Sequence, residues 1–133
     1  MTPFTRELVR DRANHRCEYC RLPQSAVTRA PFHVEHIIAR QHGGTDAPAN
    51  LALACDRCNL FKGPNLTAID PESGDVVRLF DPRKDVWDEH FGQTNYVVVG
   101  LTPAGRATAH LLKMNAEARV AQRAALRIDL TLD

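Results

Sequence analysis

Apolar residues fall in short runs through the first two thirds of the chain and at helical spacing in the last third. Residues 4–14 suit a short helix, with Leu8 and Val9 apolar and Asn14 as its terminator. Phe32 to Ile38 mixes β-branched and apolar residues and predicts a strand. Leu51-Ala52-Leu53-Ala54 predicts a second one. Asp56 starts a helix that Gly63-Pro64 must end, because proline cannot continue it. The expected order in this half is β-β-α.

Thr67 to Asp70 and Asp75 to Phe80 flank Pro-Glu-Ser-Gly, which predicts a hairpin. Asp81 to Gly92 reads as acidic loop or short helix, and Tyr96 to Val99 as a further strand. Thr102-Pro103 is a helix-start signal. After it, Ala104, Ala107, Leu111, Met114, Ala118, Ala121, Ala125 and Ile128 recur at spacings of three and four. They predict one long amphipathic helix, or two broken near Asn115. Arg119, Arg123 and Arg127 share a stripe, expected as a solvated face, with phosphate tracking as the alternative.

Length bounds the chain to one domain or a domain with an appendage, divided here as residues 1–66 and 67–133 packed on the same domain. No apolar run approaches the roughly 20 residues of a membrane helix. Met1 to Arg12 is charged and lacks the apolar centre of a signal peptide, so a cytoplasmic, reducing setting is expected. The net charge is +1, so no basic field covers the whole protein, and any nucleic acid must bind at a local face.

In a reducing setting the pairs Cys17/Cys20 and Cys55/Cys58 favour a metal over disulfides. Two such knuckles from separate segments supply four soft ligands in the tetrahedron zinc prefers. A four-cysteine site is coordinatively closed, so the zinc is expected to be structural. Buried, reduced cysteines without metal are the alternative. The 34 residues between Cys20 and Cys55 are long enough to contain a site of their own.

Those residues carry Glu35-His36, Gly43-Gly44, Asn50-Leu51, Cys55-Asp56-Arg57-Cys58-Asn59 and Lys62-Gly63. In order and spacing, Cys17 to Gly63 resembles the HNH endonuclease superfamily, in the branch with a four-cysteine zinc. The resemblance implies an α+β fold: a ββα-metal (His-Me finger) nuclease core with zinc knuckles, a small β extension and C-terminal helix or helices. It implies His36 as general base, Glu35 and Asn59 as ligands of a catalytic cation, and Asn50 as the residue that holds the loop. The last motif position is Asn59 where histidine is usual, so the chain is similar to the H-N-N variant. Carboxylate and amide oxygens are hard donors and favour Mg²⁺ or Mn²⁺ there.

Phosphodiester hydrolysis explains these residue types. It needs an activated water, a cation on the phosphate and help for the leaving oxygen. Arg40, His42, Arg57 and Lys62 are candidate nucleic-acid contacts. Strand alternation raises one difficulty, since Glu35 and His36 should point to opposite faces. Alternation instead groups His33 with Glu35, making His33 a second candidate for metal or substrate contact. His90, beside Trp87 and Phe91, reads as a satisfied histidine near an aromatic cluster.

The expected function is a metal-dependent endonuclease acting on DNA, with RNA not excluded. A zinc-containing nucleic-acid-binding module that does not cut is the main alternative, and a zinc scaffold for protein partners is a third. The alanine-rich stripe could pack on the domain or on a second copy in a homodimer.

Overall fold

In the computed structural model, which describes residues 1–131, the chain divides into two units, Met1–Asn65 and Leu66–Asp133. In the first unit, α1 (Pro3–Arg12) opens on Thr2, whose hydroxyl accepts from the Thr5 N–H at 3.1 Å. Asn14 and His15 then turn the chain through left-handed conformations (φ 53° and 54°). The end of α1 is tied down by Arg12, whose guanidinium donates to the carbonyls of Pro48 (2.7 Å) and Leu51 (2.6 Å).

Two antiparallel strands follow, β1 (His33–His36) and β2 (Leu51–Ala54), with His33 opposite Ala54 and His36 opposite Leu51. All four residues of β2 are buried, which accounts for an unbroken apolar run with no polar alternation. The next helix, α2 (Asp56–Lys62), is capped by a cysteine: Cys55 Sγ accepts from the Cys58 N–H. The order β1-β2-α2 agrees with the sequence pattern.

The second unit begins with the hairpin β3 (Thr67–Ile69) and β4 (Val76–Arg78). Its turn is organised by Asp70, which accepts from the Glu72 N–H (3.0 Å) and the Ser73 hydroxyl (2.9 Å). A one-turn helix α3 (Trp87–His90) leads into a second hairpin, β5 (Phe91–Thr94) and β6 (Val97–Gly100). Strand β5 was not expected, because Gly92 and Gln93 carry no β-branched signal. Its cause lies in the connection. Asn95 and Tyr96 both take positive φ (50° and 67°), as a tight two-residue hairpin turn requires. Tyr96 is therefore turn and not strand. Phe80, Trp87 and Phe91 pack ring to ring, with centroids 5.1–5.2 Å apart about Phe91.

The helical tail is two helices, α4 (Pro103–Leu111) and α5 (Glu117–Leu126), the second of the two alternatives. The break shifts the helical phase, and the inward face of α5 is not the alanine stripe. Ala118, Ala121 and Ala125 are exposed, while Arg119 and Arg123 are buried. Arg119 donates to the Leu112 carbonyl at 2.6 Å, close to the end of α4 where carbonyls lack helical partners. Arg123 donates to the Tyr96 carbonyl at 2.8 Å and to Asn115 at 3.2 Å. Neither arginine is a solvated or phosphate-tracking side chain. No helix among the described residues is long and apolar enough to cross a membrane.

Candidate active site and metal centre

The four cysteines converge. Their Sγ atoms all lie within 4.8 Å of one another, and all four residues are buried. Cys20 Sγ and Cys55 Sγ stand 3.7 Å apart. A tetrahedron built on the Zn–S bond of about 2.3 Å has edges of about 3.8 Å. Backbone N–H groups of Cys20 and Cys58 point at Cys17 Sγ (3.4 Å) and Cys55 Sγ (3.5 Å), a polarity that favours thiolate. Burial pushes the Cys17 and Cys58 thiols well up from their ordinary value, the cost that a bound dication offsets. The donor set fits a structural metal such as zinc.

Beside this cluster, β1 and α2 form the walls of an open groove of about 470 Å³ lined by Glu35, His36, Arg40, Asn59 and Gly63 among others. Glu35, His36 and Asn59, which the sequence singles out, thus come together despite strand alternation. His36 is half-buried, whereas Glu35 is only 7% exposed. The Tyr19 hydroxyl donates to Glu35 Oε1, and the Lys62 ammonium lies 3.4 Å from Oε2. Burial pushes the Glu35 carboxyl above its ordinary value, against the pull of Lys62, Tyr19 and His36. A carboxylate offers about four lone-pair positions. Two are engaged, so with the Asn59 amide the groove retains hard oxygen donors that fit Mg²⁺ or Mn²⁺.

The loop from Ile37 to Asn50 is held shut by Asn50. Its side chain accepts from the Ile38 N–H (2.9 Å) and donates to the carbonyls of Ile38 (3.0 Å) and Thr45 (2.8 Å). The closure leaves no room at Gly44, where an added Cβ would sit 1.6 Å from the Ile38 carbonyl oxygen. It also delivers Asp46 to His36, with Oδ1 at 2.7 Å from Nε2. Arg40 grips both oxygens of the same carboxylate at 2.6 and 2.8 Å. The hydrogen bond to His36, then the Arg40 charge, hold the Asp46 carboxyl below its ordinary value.

The remaining candidates scatter. His33 does not line the groove; its Nε2 bonds Asp56 Oδ1 at 2.7 Å at the far end of β1. His42 and Arg57 are exposed, and Arg40 is mostly so. Lys62 differs from expectation. It is 2% exposed, and its ammonium donates to the Ile37 carbonyl at 2.9 Å, so it is an internal brace and not a surface phosphate contact. His90 bonds Thr102 through Nδ1 at 2.6 Å and packs edge-on against Phe80, the satisfied histidine anticipated.

Asp46 and Tyr19 are the site neighbours that the sequence did not reveal. Asp46 sits among turn-forming residues, where an aspartate ordinarily signals only a turn. Tyr19 lies between two ligand-spaced cysteines and draws no attention beside them.

Residues 17–65 match the family model described as HNH endonuclease. The match covers less than half of the 133 residues and none of the second unit. The family suggests a nuclease or nucleic-acid-binding role. No curated protein and no solved structure matches the chain.

Proposed function

We propose that the first unit is a metal-dependent endonuclease that hydrolyses phosphodiester bonds in DNA on a ββα-metal core clipped by zinc. The observation that carries this reading is the meeting of Glu35, His36 and Asn59 on one groove, with His36 bonded to Asp46. Nε2 of His36 is committed to Asp46, so the tautomer that donates there keeps a lone pair on Nδ1. That nitrogen takes the proton of the attacking water. The Asp46 carboxylate holds the ring in place and favours the imidazolium that results. Glu35 and Asn59 would hold a divalent cation, Mg²⁺ or Mn²⁺, which supplies positive charge to the phosphate and the leaving oxygen. Asn50 keeps the loop closed behind the base. Arg40, His42 and Arg57 are the exposed groups of this unit proposed to meet the backbone of the substrate.

The test is plasmid cleavage by wild-type protein and His36→Ala, with Mg²⁺, with Mn²⁺ and without added cation. Cation-dependent cutting that falls about 10²–10⁴-fold in the variant supports the assignment. Undiminished cutting by His36→Ala would refute the base. Salt-sensitive DNA binding without any cutting would instead identify a module that binds and does not cleave. Metal analysis of the purified protein should find one zinc per chain.

A further inference from the structure

Among the described residues, Glu35 is the one carboxylate that lines the groove, and Tyr19 and Lys62 hold it. A glutamate side chain has several rotatable bonds and must be fixed before it can hold a cation. One of the groups that fix it comes from the cysteine knuckle. Tyr19 is the third residue of Cys17-Glu18-Tyr19-Cys20, its side chain is fully buried, and its hydroxyl donates to Glu35 Oε1. The second is Lys62, whose ammonium is held on the Ile37 carbonyl at 2.9 Å and faces Oε2 at 3.4 Å. Tyr19 stands two residues after Cys17 and directly before Cys20. Its phenol is therefore positioned by the same turn that aims the sulfurs.

We propose that Tyr19 is a positioning residue that couples the four-cysteine cluster to the cation site, by holding Glu35 from within the knuckle. The inference rests on the proposed role of Glu35 as a ligand. It adds that one turn of chain serves both metals: its cysteines hold the structural ion, and its tyrosine orients the carboxylate for the catalytic one. Tyr19→Phe removes a single hydroxyl and leaves the ring in its pocket. Loss of such an outer partner typically weakens a metal site 10–100-fold.

The experiment is Mn²⁺ titration of the zinc-loaded full chain, followed by the electron paramagnetic resonance signal of free Mn²⁺, for wild type, Tyr19→Phe and Glu35→Gln. The expected result is a folded Tyr19→Phe with unchanged zinc content and Mn²⁺ affinity lowered about tenfold, and no measurable binding in Glu35→Gln. Wild-type Mn²⁺ affinity in a folded Tyr19→Phe, with Glu35→Gln still defective, overturns this inference alone. Absence of Mn²⁺ binding by the wild type removes the proposed function and this inference with it. A second measurement covers a Tyr19→Phe that does not fold. The chain has two tyrosines, so Tyr96→Phe leaves Tyr19 as the sole phenol. Mn²⁺ should then produce a tyrosine difference spectrum in that variant, and a flat one overturns the coupling.

Discussion

His36 and Asp46 meet across the closed loop, Nε2 to Oδ1 at 2.7 Å, and Arg40 closes on the same carboxylate. The contact turns a strand histidine into a held imidazole with one nitrogen committed. Ten residues separate the partners in sequence, and it is the Asn50 clamp that brings them together.

Asp46→Asn should keep the shape of the hydrogen bond and lose its charge. The imidazolium formed as water gives up its proton would then lack its counter-charge. Cleavage is expected to fall at least about tenfold, with far-UV circular dichroism unchanged. Full activity in this variant would mean that Asp46 only decorates the loop.

Gly44→Ala tests the loop closure itself. An alanine Cβ would lie 1.6 Å from the Ile38 carbonyl oxygen and 2.9 Å from Asn50 Nδ2, so the backbone must move and break the clamp. The expected loss is about 3 kcal/mol or more, against about 1–3 kcal/mol for Asn50→Ala. Urea unfolding measures both, and a Gly44→Ala as stable as wild type would show that the loop yields.

Arg123→Met separates structure from substrate contact. The guanidinium serves the Tyr96 carbonyl and the Asn115 side chain from a buried position. Truncation should lower stability by about 2 kcal/mol and leave the salt dependence of DNA binding unchanged. A reduced salt slope would return this side chain to the nucleic-acid interface.

Acid should act on the second unit through Asp70, which is buried against Arg106 at 3.0 and 2.8 Å. The Arg106 hydrogen bonds hold this carboxyl well below the usual carboxylate range. A depressed native value means the stabilisation is complete above the ordinary value of about 3.9 and is lost as pH falls toward the native one. The fluorescence of Trp87, the sole tryptophan, should therefore report steep destabilisation below about pH 4. Asp70→Asn should be less stable at neutral pH and flatter in acid. A parallel curve for that variant would place the acid sensitivity elsewhere.

The legible parts of this chain were those written in local chemistry. The cysteine spacing, the apolar run of β2, the Gly63-Pro64 stop and the Thr102-Pro103 start each announce an element by their own residues. That Glu35, His36 and Asn59 line one groove agrees with the order in which the motif sets them. Contacts made at a distance were not. Asp46 acquires meaning only when Asn50 folds the loop, and β5 exists because Asn95 and Tyr96 turn the chain back on β6. Helix α5 misleads outright. Periodicity assigns its inward face to alanine, while the carbonyls of Leu112 and Tyr96 take arginine donors instead. Hydropathy counts transfer from water and takes no account of carbonyls that need a donor.

The two residues enclosed by the first cysteine pair hold one strand each. Glu18 donates its N–H to the Leu53 carbonyl at 2.8 Å and accepts the Leu53 N–H on Oε2 at 2.9 Å, closing both backbone groups of β2 at that point. Tyr19 reaches β1 through Glu35. A pattern written C-x-x-C treats these positions as wildcards, yet here each is bonded to one strand of the β1–β2 hairpin. Transplanting the cysteines of this chain onto another scaffold would carry over a metal-binding turn without its grip on the strands. The portable unit is the tetrapeptide together with Leu53 and Glu35.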